Sequence, residues 1–379
     1  MGKKIYAVVG GWGFRGGVRG LSTYRCDPAT SKLSLIEAKF PDLAVGNQFY
    51  DANRGIVYVT DETKDQRGRK GGGGCLCAVK IDQDSGTMEL LSQQRSLLSN
   101  PSYVWLDRSG RYALVSHHVT DSYITRLVRD ENGGYSSQTL FEQAALVLFP
   151  VMEDGSLGKA CDAYITEAED KDSISHQHCV IADPSGNTYV VCDKGLDRLY
   201  TFQIDQERGK LLQTDMLEAE TGSHPRYGAF HPSLPYFYGN NEEAARVCRY
   251  RVDSATGQIS YVSGCEILDG WEEGKKPAPS DLVIDREGTC LYVSVRGTNQ
   301  ISVISLGGDG DMSLIQTLPC QGENPRGLCL SLDGRFLYVC NVDSNRINSF
   351  AVKPDHTLSP AGIAAEASRP GNMSLFITE

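Results

Sequence analysis

The feature that most constrains the fold of this chain is an internal repeat. Six segments share one plan: a polar start, an apolar strand, a turn usually ending in Gly, and a second strand rich in valine and aromatic residues. They are GNQFYDANRGIVYVTDE (46–62), NPSYVWLDRSGRYALVSHH (100–118), HQHCVIADPSGNTYVVCD (176–193), HPRYGAFHPSLPYFYGNNE (224–242), PSDLVIDREGTCLYVSVRG (279–297) and NPRGLCLSLDGRFLYVCNVD (324–343). Such turns favour hairpins because glycine adopts a positive φ at little cost.

Each repeat continues into two further strand-like runs, so one unit holds four strands. Four-stranded units that recur about every 45 to 55 residues are typical of β-propeller blades. The interval between the second and third repeats is longer than this, and we assign the excess to an insertion at 120–142.

The two ends of the chain supply the remaining blade. RPGNMSLFI (369–377) resembles a first strand, and residues 4–38 hold three more strand-like runs. The sequence therefore predicts one all-β domain over residues 1–379, a seven-bladed β-propeller with four antiparallel strands per blade. Its closing blade is built from both termini, which removes free sheet edges.

The charge balance and the cysteines indicate where such a domain works. A net charge of −11 does not suit sequence-independent binding of nucleic acid or of anionic membranes. The start MGKKIYAVVG has too short an apolar run for a signal peptide. The twelve cysteines form no Cys-x-x-Cys pair and mostly lie in apolar runs, as free thiols do. We expect a cytoplasmic protein, a monomer or weak homodimer, that binds neither nucleic acid nor membranes.

The hexapeptide GWGFRG (11–16) matches the Gly-x-Gly-x-x-Gly pattern of dinucleotide-binding turns. That turn requires a helix after the glycines, because the pyrophosphate binds the N–H groups of the helix N-terminus. Residues 17–38 read as strands instead. We therefore predict no cofactor, and a glycine-rich loop at the channel mouth that brings Trp12 or Arg15 within reach of substrate.

Ionisable side chains recur where the propeller would gather them. In a four-stranded blade the first strand begins and the second strand ends at one mouth of the central channel. Side chains at these positions include arginines, which match carboxylate or phosphate, and His and Glu, which transfer protons. They are His176, His178, Arg226, Asp281, Arg326, Glu62, His118, Asp193, Glu242, Arg296 and Asn341. The sequence predicts a site that binds a small anion, such as a carboxylate or a phosphate, and transfers protons.

At these residues the chain resembles the bacterial 6-phosphogluconolactonases of the seven-bladed propeller type, a family that includes fungal carboxy-cis,cis-muconate lactonising enzymes. The similarity runs along nearly the whole chain and is marked in SHQHCVIADPSGNTYVVCDKGLDRLYTF, HPRYGAFHPSLPYFYGNNE, LYVSVRGTNQISV and NPRGLCLSLDGRFLYVCNVDSNRI. The family's His-x-His, Pro-Arg, Asn-Glu and Ser-Asn-Arg-Gly motifs place functional residues at His176, His178, Arg226, Glu242 and Arg296. The chain departs from the usual residues of the family at three places, and these departures bear on the choice of substrate. Asp281 replaces a glutamate, Val295 replaces an asparagine, and His117-His118 replaces an Ala-Asn pair.

The resemblance implies a metal-independent lactone hydrolase of carbohydrate metabolism, acting on a sugar-acid lactone, most directly 6-phosphogluconolactone in the pentose phosphate pathway. Hydrolysis needs an activated water, donors for the oxyanion and a proton for the leaving oxygen. We assign Glu242 or His178 as the base, Arg226 and Arg296 as anion anchors, and His176 as the acid. The residues expected to contact substrate are Arg326, His118, Asn341, Asp281, Asp193 and Arg15.

Other functions fit parts of the same pattern. The same residues suit a muconate-type lactonising cycloisomerase, which runs a similar bond change in reverse. A metal-dependent lactonase would gather oxygens from Glu62, Asp193, Glu242 and Asn341, and a zinc pair would use the His-x-His motif. A non-enzymatic binding platform is the further alternative, since propellers host many functions.

Overall fold

The computed structural model of the protein describes residues 4–13, 20–66, 69–168, 170 and 172–378. Within these residues it contains β-strands and no helix, so none there is long and apolar enough to cross a membrane. In chain order the strands are β1 (Lys4–Gly11), β2 (Gly20–Cys26), β3 (Leu33–Lys39), β4 (Val45–Asp51), β5 (Ile56–Asp61), β6 (Asp65–Gln66), β7 (Arg69–Gly72), β8 (Cys75–Ile81), β9 (Met88–Arg95), β10 (Pro101–Leu106), β11 (Tyr112–His117), β12 (Tyr123–Arg129), β13 (Tyr135–Phe141), β14 (Ala144–Pro150), β15 (Asp162–Thr166), β16 (Gln177–Ala182), β17 (Tyr189–Asp193), β18 (Arg198–Asp205), β19 (Lys210–Glu218), β20 (Pro225–Phe230), β21 (Tyr236–Asn241), β22 (Arg246–Val252), β23 (Ile259–Glu266), β24 (Ala278–Ile284), β25 (Cys290–Arg296), β26 (Gln300–Leu306), β27 (Met312–Pro319), β28 (Pro325–Leu330), β29 (Phe336–Asn341), β30 (Arg346–Val352), β31 (Leu358–Glu366) and β32 (Pro370–Thr378).

Most of these strands form seven antiparallel sheets of four, which confirms the predicted seven-bladed propeller. The blades, each written from its innermost strand outwards, are blade 1 (β4-β5-β8-β9), blade 2 (β10-β11-β14-β15), blade 3 (β16 to β19), blade 4 (β20 to β23), blade 5 (β24 to β27), blade 6 (β28 to β31) and blade 7 (β32-β1-β2-β3). The innermost strands contact one another in this order, and β32 also contacts β4, so the ring is closed.

The closing blade joins the two ends of the chain, as predicted. Strand β1 pairs with β2 on one side and with β32 on the other, from Lys4↔Thr378 to Gly11↔Pro370. The innermost strand of blade 7 therefore comes from the end of the chain and its other three strands from the beginning, which hydrogen-bonds both edges of β1.

Two hairpins interrupt the blades between their second and third strands. The predicted insertion at 120–142 contains the hairpin β12-β13, which forms a sheet of its own beside blade 2. A shorter hairpin, β6-β7, stands at the same place in blade 1. Because second strands end at the channel mouth, both hairpins project from that end of the propeller.

Buried tyrosines on the second strands fasten neighbouring blades together. Tyr58 on β5, Tyr238 on β21 and Tyr292 on β25 are each fully buried. Each hydroxyl donates to a carbonyl in a turn of the next blade, at 2.9 Å from Tyr58 to Gly155 and from Tyr238 to Gly310. Burying a ring of this size contributes about 1.5–3 kcal/mol, and the hydrogen bond offsets the cost of burying the hydroxyl.

Candidate active site

One cross-strand residue pair recurs at the same point of every blade. It joins a residue near the start of the first strand to a residue near the end of the second strand. We call the residue that follows the first-strand member the inner position, and the residue that follows the second-strand member the rim position. The pairs, from blade 1 to blade 7, are Val45↔Asp61, Pro101↔His117, Gln177↔Asp193, Pro225↔Asn241, Pro279↔Val295, Pro325↔Asn341 and Pro370↔Gly11.

Two rings of seven side-chain positions follow from this register, both at the same mouth of the channel. The rim positions, from blade 1 to blade 7, are Glu62, His118, Lys194, Glu242, Arg296, Val342 and Trp12. The inner positions in the same order are Gly46, Ser102, His178, Arg226, Ser280, Arg326 and Gly371. Most of the predicted site residues therefore occupy equivalent places around one axis.

The inner ring combines large cationic or aromatic side chains with small neighbours. Arg226 is buried and donates from Nη1 to the carbonyl and hydroxyl of Ser280 in the next blade, at 2.6 and 3.2 Å. Arg326 is also buried and donates from Nη1 to the carbonyl oxygens of Gly46 and Gly371, at 2.9 and 3.2 Å. The small inner residues leave backbone carbonyls open to the guanidinium groups, which fixes both arginines within the channel.

Glu242 is surrounded by three cations. Lys194 Nζ lies 2.8 Å and Arg226 Nε 3.5 Å from Oε2, and Arg296 Nη2 donates to Oε1. Burial favours the protonated acid, but the charges of Arg296, Arg226 and Lys194 outweigh it and hold the pKa of Glu242 below its ordinary value. Burial and the charge of Arg226 lower the pKa of Arg296 to about 10, which leaves it cationic at neutral pH. This group, the Glu242 cluster, carries a net positive charge.

Glu62 holds the same rim position in blade 1 but has fewer cationic neighbours. Trp12 Nε1 donates to its Oε2 at 2.7 Å, and Arg326 Nη2 lies 3.4 Å from the same oxygen. The guanidinium of Arg326 stacks over the Trp12 ring at 4.9 Å. Burial raises the pKa of Glu62, although the arginines oppose the rise. The two rim glutamates therefore differ in charge environment.

Three histidines pack together between blades 2 and 3. The ring of His118 stacks on His176 with centroids 4.7 Å apart and meets the edge of His178 at 4.8 Å. His176 lies 2.5 Å from the carbonyl of His118 through Nδ1 and 3.1 Å from Asp121 Oδ1 through Nε2. Burial lowers the pKa of His118 to about 3 and holds that of His178 well below its ordinary value. His118 and His178 are therefore neutral rings at physiological pH.

The residues that follow the inner positions on the first strands include two tyrosines and an aspartate. Tyr227 packs beneath Arg226, edge-on to His178 and Tyr103 at 5.1 Å. Asp281 accepts a hydrogen bond from the N–H of Leu328 at 2.8 Å, and burial raises its pKa to about 6. Within the described residues, the buried hydroxyl of Tyr227 has no hydrogen-bond partner.

Two predicted substrate-contact residues are not among the channel side chains. Asp193 is fully buried and accepts from the backbone of His176, Gly195 and Leu196 and from Ser175. Asn341, equally buried, donates to the carbonyl of Cys320 and to Asn348. Both residues precede the rim position by one, and because successive strand side chains face opposite ways, they order loops instead of facing the channel. Arg15 lies outside the described residues.

The sequence interpretation missed Lys194 and the packed tyrosine pair, half-buried Tyr103 and buried Tyr227. Lys194 directly follows Asp193, and it aligns with Glu242 when VVCDK is matched residue by residue to YGNNE. A stricter alignment of the repeats therefore contained the signal. No comparable signal marks the tyrosines, since aromatic residues are common in propeller strands.

The described residues contain no group of three or more His, Cys, Asp or Glu arranged to hold a metal ion. The four residues considered as oxygen ligands are separated: Glu62 and Glu242 pair with arginines, while Asp193 and Asn341 bond to loops.

A cavity of about 1010 Å³, lined by Phe49, Tyr103, Trp105 and Phe230 among others, opens at the opposite end of the first strands.

Comparison with known proteins places the chain among lactonases. The family described as "Lactonase, 7-bladed beta-propeller" matches residues 7–373. A 6-phosphogluconolactonase of Formosa agariphila is 26% identical over 288 residues, covering 73% of this chain and 74% of that protein. One of Bacillus subtilis is 23% identical over 348 residues, covering 89% and 88%.

Comparison with solved structures finds the same fold. The structure of a periplasmic gluconolactonase of Pseudomonas aeruginosa matches with a TM-score of 0.82 and 21% identity, over 98% of this chain and 99% of that one. The family match spans all seven blades and both residue rings at the channel mouth. This chain belongs to the seven-bladed β-propeller lactonase family.

Proposed function

We propose that this protein hydrolyses a sugar-acid lactone, most directly 6-phosphogluconolactone to 6-phosphogluconate. The observation that carries the proposal is the convergence of Lys194, Arg226 and Arg296 on Glu242 at one channel mouth. The named activities of the Formosa and Bacillus relatives support the same reaction class. No observation favours the muconate cycloisomerase or the binding platform.

The arginines of the Glu242 cluster supply hydrogen-bond donors in addition to charge. Arg226 Nη2 and Arg296 Nη1 make no hydrogen bond to the described residues, whereas the other nitrogens of both arginines face Glu242 or a neighbouring carbonyl or hydroxyl. Fixed cationic donors stabilise the negative charge that develops on a lactone carbonyl oxygen during attack by water. A second anion, such as a phosphate, fits the remaining cation, Lys194.

The ion pairs of Glu242 bear on the identity of the general base. The sequence left two candidates for this role, Glu242 and His178. Glu242 has both oxygens in ion pairs and a lowered pKa, so it binds a proton weakly. We infer that Glu242 holds the three cations in place. His176 has a carbonyl oxygen and a carboxylate oxygen against its two ring nitrogens, and we assign it the role of the acid that donates to the leaving oxygen.

The experiment is a direct assay of the purified protein with freshly prepared 6-phosphogluconolactone, with glucono-lactone and a muconate alongside. We expect hydrolysis of the phosphorylated lactone above the spontaneous rate, retained after EDTA treatment. Glu242→Gln and Arg296→Ala are expected to lower kcat/KM at least 100-fold, since each removes a charge from the cluster. Preference for the unphosphorylated lactone would reassign the substrate, and turnover of the muconate alone would contradict hydrolysis.

We place the reaction in the pentose phosphate pathway of carbohydrate metabolism and the protein in the cytoplasm. All twelve cysteines are free thiols in the structure, which supports a reducing compartment. The substrate is a small anion drawn to the cationic mouth of an acidic protein. We propose a monomer or weak homodimer without nucleic-acid or membrane binding, to be checked by light scattering and by fractionation of cells that express the chain.

A further inference from the structure

Glu62 and Glu242 hold equivalent rim positions three blades apart, but they differ in how the described residues engage their oxygens. Both Glu242 oxygens are in ion pairs. In Glu62, Trp12 and Arg326 contact Oε2, and no hydrogen bond from the described residues reaches Oε1. The Glu62 residue is 7% exposed, so the carboxylate is largely shielded from bulk solvent.

We propose that Glu62 is the general base of the lactone hydrolysis, with Oε1 accepting the proton of the attacking water while Trp12 and Arg326 hold Oε2. This inference rests on the proposed function and goes beyond it by naming the proton acceptor. The base is thus a residue on the opposite side of the ring from the Glu242 cluster.

The structure holds the Glu62 carboxylate in one orientation. Arg326, which contacts Oε2, is itself fixed by the carbonyl oxygens of Gly46 and Gly371 and by the Trp12 ring. A Cβ added at Gly46 would lie 2.9 Å from the Glu62 Cβ, and one at Gly371 would lie 2.6 Å from the Trp12 Cβ. The glycines at these two inner positions leave the space that this arrangement needs.

The surrounding charges support the role. Burial raises the pKa of Glu62, and the groups that oppose the rise are Arg326, the Trp12 N–H, Arg226 and Arg296. A general base works best when its pKa lies near the working pH. Two carboxylates whose pKa values are shifted in opposite directions indicate a division of roles. Glu62 then exchanges protons, and Glu242 stays ionised to hold its cations.

The reaction balances without any further reactant. The water oxygen forms a bond to the lactone carbonyl carbon as its proton moves to Glu62 Oε1, and the carbonyl oxygen becomes an oxyanion beside Arg226 and Arg296. When the ring C–O bond breaks, the ring oxygen leaves as a hydroxyl with a proton from His176. The new carboxylic acid loses its proton to solvent, and the proton on Glu62 replaces the one given up by His176, directly or through water.

The test measures kcat and KM for 6-phosphogluconolactone from pH 5 to 9, with spontaneous hydrolysis subtracted, in the wild-type protein and in Glu62→Gln. We expect kcat to fall by ~100-fold or more, as general-base removal does, with KM within about threefold. Stabilisation against heat by 6-phosphogluconate is expected to persist in the variant. The matched control is Glu266→Gln, an exposed carboxylate on the outermost strand of blade 4, which is expected to leave activity unchanged.

A second variant keeps the inference testable if Glu62→Gln does not fold. Trp12→Phe removes the N–H donated to Glu62 and thereby raises its pKa, so the acid limb of the kcat/KM profile moves to higher pH. In Glu62→Gln this limb disappears. A folded Glu62→Gln protein with wild-type kcat and an unchanged acid limb overturns the inference, and so does an unshifted limb in Trp12→Phe. A wild-type protein that hydrolyses no lactone contradicts the proposed function instead.

Discussion

Equivalent positions in this propeller acquire different chemistry from their neighbours. Glu62 and Glu242 share a register position, yet one is contacted by an indole and one arginine and the other by three cations. Asp281 shows the same effect of surroundings, because burial raises its pKa to about 6 despite the nearby charges of Arg226 and Arg326. At the scale of a residue, the balance of burial and local charge decides whether a carboxyl group holds or releases a proton.

Asp281 gives a prediction for stability against pH. Its pKa in the folded protein, about 6, exceeds the value of about 3.9 expected in the unfolded chain. The contribution to folding is therefore complete below about pH 4 and is lost as the pH rises through 6. Compared with Asp281→Asn, the wild-type protein should lose of the order of 1–2 kcal/mol of unfolding free energy between pH 5 and 8.

The measurement is urea unfolding at several pH values in both proteins. Asp253→Asn serves as a contrast, because backbone N–H groups of an exposed turn lower the pKa of Asp253. Its removal should change the pH dependence in the opposite direction and at lower pH. Parallel pH profiles for the wild-type protein and Asp281→Asn would contradict the assignment.

At the scale of an element, the hairpin β12-β13 differs from the strands of the blades. Tyr123, Ile124, Leu127 and Tyr135 are all exposed, and the hairpin pairs with no other strand in the described part of the chain. An isolated two-stranded hairpin is only marginally stable in water. It is anchored at its base, where Glu142 forms an ion pair with Lys64 at 2.8 Å.

The hairpin should therefore be dispensable for folding. Replacing residues 123–141 by two glycines is expected to change Tm by no more than about 3 °C, which corresponds to roughly 2 kcal/mol in a protein of this size. Removing β22 and β23, a segment of similar length inside blade 4, should abolish cooperative unfolding because it removes buried Val247 and Tyr250. Thermal unfolding followed by circular dichroism compares the two, and an unfolded hairpin variant would show that the insertion supports the blades.

At the scale of the whole molecule, stability depends on closing the ring. Strand β32 contacts β28 on one side and β4 on the other, and it supplies Gly371, whose carbonyl binds Arg326. The final strand therefore completes both the fold and the candidate site.

Truncation after Arg369 is expected to prevent cooperative folding, because it removes the innermost strand of blade 7. A circular permutant that joins the ends through a short linker and opens in the exposed loop at 220–222 keeps all seven blades and should remain folded and active. Calorimetry and the lactonase assay test both. A folded, active truncated protein would show that β32 is not needed for closure.

Much of this architecture was predictable because each blade is a local structure. The repeats, their hairpin turns and the strand-like runs at both ends predicted seven blades and the closing blade, which the structure confirms. The hairpin β12-β13 lies within the stretch assigned to the insertion at 120–142. The repeat also led to Arg226, Glu242, Arg296 and Arg326 as residues of one mouth. Which of them act on a substrate stays a prediction.

The sequence by itself determined the blades and the choice of residues near the mouth, since both depend on short-range pattern. The tertiary structure decided which way these side chains face and which partners they contact. A one-residue difference in register turned Asp193 and Asn341 away from the channel and brought Lys194 to Glu242. Trp12 and Arg326 reach Glu62 from 50 and 264 residues away, and only ring closure brings them together. The contrast between the two glutamates therefore exists only in the closed propeller, because charge interactions depend on distance in space.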